Sequence, residues 1–349
     1  MDQRAAQDIL SGGRRGARAS VVRAALLAAA GPYAGGMRLR RWLYRQGLLP
    51  RHSAAAPVIC VGNLTVGGTG KTPMVAWIVS LLKDAGHSPA VLTRGYRSGG
   101  GEGDEPALLR ALCEAPVEVG ADRAAAAARA VAAGADVLVM DDGFQHLRLR
   151  RDLDVVLVDA TRPWGFGHCL PRGLLREPPS ALRDADCVVI TRSDAVAPAA
   201  LAAVRAQVAR LAPRASVHAA VHAPSHVFDE AGRERSADDL AGRRVLAVCG
   251  LANPAAFFRT LEGLGGERAG RLALDDHVAY TPDVLGRVHA VWRQSGAECI
   301  VTTEKDRTKL PAGVLDAAVW TLSVRMRVTE GQAELRQRIL AAARGRPTR

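Results

Sequence analysis

The chain has 349 residues, 48% hydrophobic and 4% aromatic content and a formal charge of +12, which suits two globular domains and excludes a disordered tract or a small disulfide-stapled fold. Arginine carries nearly all of the positive charge, the only lysines being Lys71, Lys83, Lys305 and Lys309, so the charge favours anionic partners such as phosphates or acidic headgroups without implying nucleic acid. The six cysteines (60, 113, 169, 187, 249 and 299) are far apart with no Cys-x-x-Cys pair, a pattern of reduced buried thiols in a cytoplasmic protein rather than metal ligands or disulfides.

Residues 1–52 form a distinct basic region in which Arg4, Arg14, Arg15, Arg18, Arg23, Arg38, Arg40, Arg41, Arg45 and Arg51 stand against Asp2 and Asp8. Its longest uncharged run, 24–37, contains Gly31-Pro32 and Gly35-Gly36 and is expected to be too short and broken to span a bilayer. No small-residue cleavage site marks a signal peptide. Arginines beside Trp42 and Tyr44 fit a helix lying in a membrane interface, and equally an amphipathic helix packed on the domain.

The stretch Val58-Ile-Cys-Val-Gly-Asn-Leu-Thr-Val-Gly-Gly-Thr-Gly-Lys-Thr-Pro73 orders an apolar strand, a glycine loop and Lys71-Thr72 ahead of a helix, as in a phosphate-binding P-loop. Gly67, Gly68 and Gly70 let backbone N–H groups turn toward an anion at a helix N-terminus. Lys71 would neutralise β/γ-phosphate charge, and the Thr72 hydroxyl would ligate Mg²⁺. The strict pattern has Gly where this chain has Thr65, but Met74, Val75, Ile78, Val79 and Leu82 recur at helical spacing after Pro73, until Gly86. The spacing therefore predicts nucleoside triphosphate binding.

A second strand, 90–96, precedes a glycine-rich loop that delivers Asp104-Glu105-Pro106 to the start of an apolar helix. An acidic pair in that place reads first as an N-cap. Asp122-Arg123 opens an alanine-rich helix, and the strand 135–141 then ends in Asp141-Asp142-Gly143, the carboxylates with which a P-loop enzyme holds Mg²⁺ or its water shell. Strands at 153–160 and 185–191 extend the alternation expected of a doubly wound, mostly parallel sheet, whose ligands bind at the carboxyl ends where Lys71, Arg94 and Asp141 fall. Between them, 162–178 is too rich in glycine, proline and arginine for regular structure, and loops of this length are commonly functional. Near 213–241 the texture changes to short polar pieces. A second, smaller α/β domain begins at Arg244, with strands near 244–249, 298–303 and 317–324 and a helix at 329–343. The expected divisions are 1–52, a P-loop kinase domain over 53–222, and a C-terminal α/β domain over 223–349 that includes the terminal helix.

Seven blocks, Val61-Gly-Asn-Leu-Thr-Val-Gly-Gly-Thr-Gly-Lys-Thr72, Thr93-Arg-Gly-Tyr96, Gly103-Asp-Glu-Pro106, Asp141-Asp-Gly-Phe-Gln-His146, Leu174-Leu-Arg-Glu-Pro178, Asp276-His277 and Thr302-Thr-Glu-Lys-Asp306, resemble the tetraacyldisaccharide 4′-kinase family of lipid A biosynthesis. The blocks keep the family's order, and Thr65 is ordinary within it. The resemblance implies ATP- and Mg²⁺-dependent phosphorylation of the 4′-hydroxyl of an acylated glucosamine disaccharide 1-phosphate by a peripheral protein, at the anionic cytoplasmic face of the inner membrane. No nucleic acid and no obligate protein partner are expected. It further implies that Asp104, paired with His277, takes the hydroxyl proton, which reverses the capping reading of Asp104. Val66, Gly67, Gly68, Thr69, Gly70, Lys71 and Thr72 are the expected nucleotide set, and Thr72, Asp141, Asp142 and Glu177 the expected metal set. Asn63, Arg94, Glu105, Arg123, Gln145, His146 and Arg176 are candidates for the substrate's phosphate and sugar.

Three rivals carry weaker signals. A membrane-associated partitioning or carrier ATPase would have a lysine where Val66 stands, and a guanine-specificity loop would have one at Arg192 of Thr191-Arg-Ser-Asp194. A nucleic-acid binder would show an aromatic-and-basic strand module, which this chain lacks.

Overall fold

Strands and helices alternate along the chain in the computed structural model, which describes residues 10, 12–13, 16–95, 104–251, 253–275, 278–310, 313 and 315–345. They group into two units, one of the described residues of 1–95, 112–221 and 326–349 and the other of those of 96–111 and 222–325.

The first unit is built on seven parallel strands in the order β7-β6-β5-β1-β4-β2-β3. These are β1 (Val58–Asn63), β2 (Pro89–Thr93), β3 (Val117–Val119), β4 (Val137–Asp141), β5 (Leu153–Asp159), β6 (Cys187–Thr191) and the first half of β7 (Ser216–Phe228). β1, β2, β4 and β6 are buried along their whole length, which is why they read as continuous apolar runs and not as alternations. Helices α2 (Lys71–Asp84), α4 (Arg123–Ala132) and α5 (Pro198–Leu211) are the crossovers. α2 buries Met74, Val75, Ile78, Val79 and Leu82, the periodic set of the sequence. Val61 pairs with Asp141 and Asn63 with Leu157. The glycine loop after β1 and the acids after β4 therefore leave the sheet side by side at its carboxyl edge, where such folds bind ligands.

In the second unit, β9 (Arg244–Cys249), β10 (Glu267–Ala273), β11 (Cys299–Thr303) and the first half of β12 (Val319–Glu330) form a parallel set ordered β10-β9-β11-β12. Helices α6 (Pro254–Gly263), α7 (Pro282–Ser295) and the short α8 (Glu304–Arg307) connect them, and β8 (Glu234–Ser236) pairs antiparallel with the end of β7. Helix α3 (Asp104–Cys113) begins in this unit.

Three expectations change. Within the basic N-terminal region, Ala17–Arg45 is one 29-residue helix, α1, which runs through Pro32 and both glycine pairs and belongs to the first unit. Its buried Ala30, Arg41 and Tyr44, with half-buried Tyr33 and Met37, line one face. The tertiary contacts of that face offset a proline that costs about 3 kcal/mol inside a helix. The terminal helix, α9 (Gln332–Ala343), was expected with the C-terminal domain, but it returns to the first unit and packs Leu335, Ile339 and Ala343 near β1 and α2. Two of the four passages between units, at 221–222 and 325–326, fall within the continuous strands β7 and β12 and not at a linker. All six cysteines are buried and none is in a disulfide.

Candidate active site

Between β1 and α2 the chain turns through Gly67 at φ 117° and Gly70 at φ 92°, left-handed conformations that glycine adopts without Cβ strain. Several loop amides are spent internally. Val66 N–H donates to Leu174 O at 2.7 Å, and Thr69 N–H to Gly67 O at 3.1 Å. Val66 and Thr69, expected on the nucleotide, thus brace the loop with these amides. The amides left to face an anion are those of Gly67, Gly68, Gly70, Lys71 and Thr72, because Pro73 has no N–H and Met74 N–H donates to Gly70 O at 3.2 Å. Asn63, expected on the substrate, is fully buried and donates to Thr65 O and Thr69 Oγ1, both at 2.9 Å. It is a strut under the loop.

β6 supports the loop from its other side, a contribution the sequence reading missed. Thr191 Oγ1 donates to Thr69 O at 2.9 Å, and Arg192 Nη2 to Gly68 O at 2.7 Å. Arg192 is itself ion-paired to Asp159 at the end of β5. In a trans peptide the C=O and the following N–H point opposite ways, so pinning Thr69 O toward β6 aims Gly70 N–H away from it. The signal lay in Thr191-Arg-Ser-Asp194, read there only as a weak guanine-loop likeness.

Lys71 Nζ lies 3.6 Å from Asp142 Oδ1 and 3.5 Å from Asn63 Oδ1. Arg176 Nη1 donates to both Asp142 oxygens, at 2.8 and 2.7 Å. Burial pushes the Asp142 carboxyl up, but Lys71 and Arg176 outweigh it and hold it below the usual carboxylate range. The irregular segment 162–178 delivers Arg176 by lying along the loop, with Arg176 N–H on Leu64 O at 2.7 Å. Gly62 permits the approach of the acidic loop, since a Cβ there would lie 2.5 Å from Phe144 Cβ and 2.8 Å from Phe144 N.

Other expected substrate groups are placed differently. Arg123 is 3% exposed and donates to Gly120 O at 2.9 Å and Asp141 O at 3.3 Å, so it positions the end of β4. Burial lowers it to about 10, still cationic at neutral pH. Burial, with Arg123 and Arg151 facing it, pushes His146 down to about 4, so at neutral pH it offers a phosphate a neutral imidazole and no charge. Arg94 follows β2 with an exposed side chain. Of Asp104 and Glu105 the backbone alone is described, in the first turn of α3, and His277 lies outside the described residues.

Glu177, expected on the metal, is instead closed off by α1. Its Oε1 accepts from Arg41 Nε at 3.3 Å, and its Oε2 from Arg41 Nη2 and, at 3.3 Å, from Gln145 Nε2. Gln145 also donates to Asn63 O at 2.9 Å. Arg41 reaches Phe144 O at 3.3 Å and Asp184 at 2.8 Å, and Tyr33 Oη donates to Arg176 O at 2.8 Å. The spacing of Tyr33, Met37, Arg41 and Tyr44 on one helical face was the available signal. The donors left for Mg²⁺ are the Thr72 hydroxyl and the Asp141 and Asp142 carboxylates. All are hard oxygens, and one or two carboxylates shared with substrate phosphates suit that ion.

The family model described as Tetraacyldisaccharide-1-P 4′-kinase matches residues 22–344. Tetraacyldisaccharide 4′-kinase of Anaeromyxobacter dehalogenans (strain 2CP-C) is 45% identical over 342 residues, covering 92% of this chain and 89% of the relative. The enzyme of that name from Syntrophus aciditrophicus (strain SB) is 40% identical over 324 residues, covering 85% and 87%. Among solved structures, LpxK from Aquifex aeolicus in complex with ATP superposes with a TM-score of 0.73 at 27% identity, covering 92% of this chain and 99% of that one.

Proposed function

The chain belongs to the tetraacyldisaccharide-1-P 4′-kinase family, and we propose on that premise that it transfers the terminal phosphoryl group of ATP to the 4′-hydroxyl of an acylated glucosamine disaccharide 1-phosphate, giving lipid IVA in lipid A biosynthesis. The observation that carries this reading is the meeting, at one sheet edge, of the glycine loop, Lys71, Thr72 and the Asp141–Asp142 pair.

Phosphoryl transfer demands alignment and charge neutralisation more than covalent chemistry. The amides of Gly67, Gly68, Gly70 and the first turn of α2 bind the phosphates, and the Lys71 ammonium neutralises charge on the transferring group. Thr72, Asp141 and Asp142 would hold Mg²⁺, which would offset the negative charge of the phosphates during transfer. Arg176 keeps Asp142 ionised and oriented. The 4′-hydroxyl oxygen attacks the terminal phosphorus as its proton passes to the Asp104 carboxylate, the bond to the ADP oxygen breaks, and His277 raises the basicity of Asp104 or relays the proton. Arg94, Gln145 and neutral His146 line the approach for sugar and phosphate.

The protein works as a peripheral enzyme on the anionic cytoplasmic face of the inner membrane. Supporting this, α1 exposes Val21, Leu27, Leu39 and Trp42 among arginines. Among the described residues no helix is long and apolar enough to cross a membrane.

Labelled ATP supplied with purified acceptor disaccharide should yield labelled lipid, and Lys71→Ala should abolish the transfer. ATP hydrolysis that ignores the acceptor, or a Lys71→Ala enzyme within a few-fold of the parent, contradicts this function.

A further inference from the structure

Next to α1, on the side of Arg41 and Arg45, the first unit holds a pocket of about 340 Å³. Its wall includes Arg45, Arg51, Arg150 and Arg151, with Asp154 and Asp184. A parallel bridge between His52 and Leu149 joins the segments that carry Arg51 and Arg150, with His52 N–H on Arg148 O at 2.7 Å and Arg150 N–H on His52 O at 2.8 Å. That pairing fixes the two guanidinium-bearing segments on one wall.

The charges of the pocket do not balance. Asp184 is shared by Arg41 at 2.8 Å and Arg45 at 2.6 Å, and Asp154 pairs with Arg151 at 3.0 Å. Among the described residues no carboxylate lies in ion-pair range of Arg51 or Arg150. Arg51 instead lies 5.7 Å from the Tyr44 ring centroid. Burial, then the facing Arg151 and Arg150, push Arg51 below the ordinary arginine range, as expected where positive charge is in excess and an anion would relieve it. Guanidinium forks match phosphate oxygens in pairs.

Two neighbours point to a lipid phosphate rather than a free one. Trp42, 48% exposed, precedes Arg45 by three residues, and Leu48, 62% exposed, precedes Arg51 by three. An apolar side chain that enters the acyl boundary beside an arginine at headgroup level is the arrangement by which interfacial segments hold anionic lipid. We propose that the pocket between α1 and the 147–151 segment binds the phosphate of an anionic phospholipid headgroup. The proposal rests on the peripheral-membrane reading above and names the site where one lipid is held.

The test uses the full chain and sedimentation with phosphatidylcholine vesicles, with and without phosphatidylglycerol. At about fivefold per basic residue near a charged surface, Arg51→Ala/Arg150→Ala should lower partition onto the anionic vesicles about thirtyfold. Arg327→Ala/Arg336→Ala, which removes the same charge from exposed positions outside the pocket, should lower it less than about threefold. Arg51→Lys/Arg150→Lys, which keeps the charge and loses the fork, should fall between, and carries the test should the alanine variant fold poorly. ATP binding and transfer to detergent-dispersed acceptor should match the parent throughout, so a failed kinase assignment is distinguishable from a failed lipid site. Equal losses in the two alanine pairs, or equal partition of the parent onto neutral and anionic vesicles, overturn the proposal. So does saturable binding of inorganic phosphate that the Arg51/Arg150 pair of substitutions abolishes while leaving vesicle partition unchanged.

Discussion

Arg41 and Arg45 stand one turn apart on α1 and share Asp184, but they belong to different electrostatic regimes. The Arg41 and Glu177 side chains are 5% and 1% exposed, whereas those of Arg45 and Asp184 are 32% and 26% exposed. Arg41→Ala strands a buried carboxylate with Gln145 as its remaining donor, and breaking such a pair costs about 3–5 kcal/mol. Arg45→Ala breaks a half-solvated pair that contributes about 0–1 kcal/mol, and Arg41 remains on Asp184. At about 2–4 °C per kcal/mol for a domain of this size, Arg41→Ala should lower the unfolding midpoint by roughly 10 °C and Arg45→Ala by roughly 2 °C or less. Because the penalty comes from the stranded charge, Arg41→Met with Glu177→Leu should recover most of it. Thermal unfolding followed by circular dichroism, with urea titration as a second probe, measures all three proteins. Similar small losses for the two alanine variants, or a double variant no better than Arg41→Ala, would refute the reasoning.

Arg192→Ala removes a charged bond to Gly68 O, an interaction of about 1.5–3 kcal/mol that partial exposure discounts, so the Kd for ATP should rise about tenfold. The KM for the acceptor should not change, and unaltered ATP affinity by calorimetric titration would rule the strap out. Acid lability should divide into two limbs. His146 has a folded pKa of about 4 against an ordinary 6.5, so its share of stability is full above 6.5 and drains as pH falls from there to about 4. Asp142 has a folded pKa below the usual carboxylate value, so its share is present above about 4 and is lost as pH falls through the lower folded pKa. His146→Asn should therefore flatten the first limb and Asp142→Asn the second, as read from urea midpoints against pH. A His146→Asn profile that superposes on the parent contradicts the assignment.

What could be read from residue order was whatever the chemistry keeps local. Gly67, Gly70, Lys71 and Thr72 fall within six residues because one turn of backbone must face one anion. The acids after β4 announce themselves by ending an apolar run. The partners of these groups were harder to see, because they are fixed by packing. Gly31-Pro32 and Gly35-Gly36 looked like breaks, yet α1 runs through them, since the contacts of its Tyr33–Arg41–Tyr44 face outweigh a local propensity deficit. That docking is what takes Glu177 from the metal set. Likewise Leu335, Ile339 and Ala343 mark α9 as a packed helix, but nothing in their spacing says that β1 and α2 are what they pack near. Burial of Arg123 and His146 was equally invisible, because a charge in a sequence carries no record of its solvation.

Crystals grown with a non-hydrolysable ATP analogue test the central claim most directly. The triphosphate should lie against the amides of Gly67, Gly68, Gly70 and the first turn of α2, within hydrogen-bond reach of Lys71 Nζ. Nucleotide density elsewhere on the chain, with that loop unengaged, would contradict it.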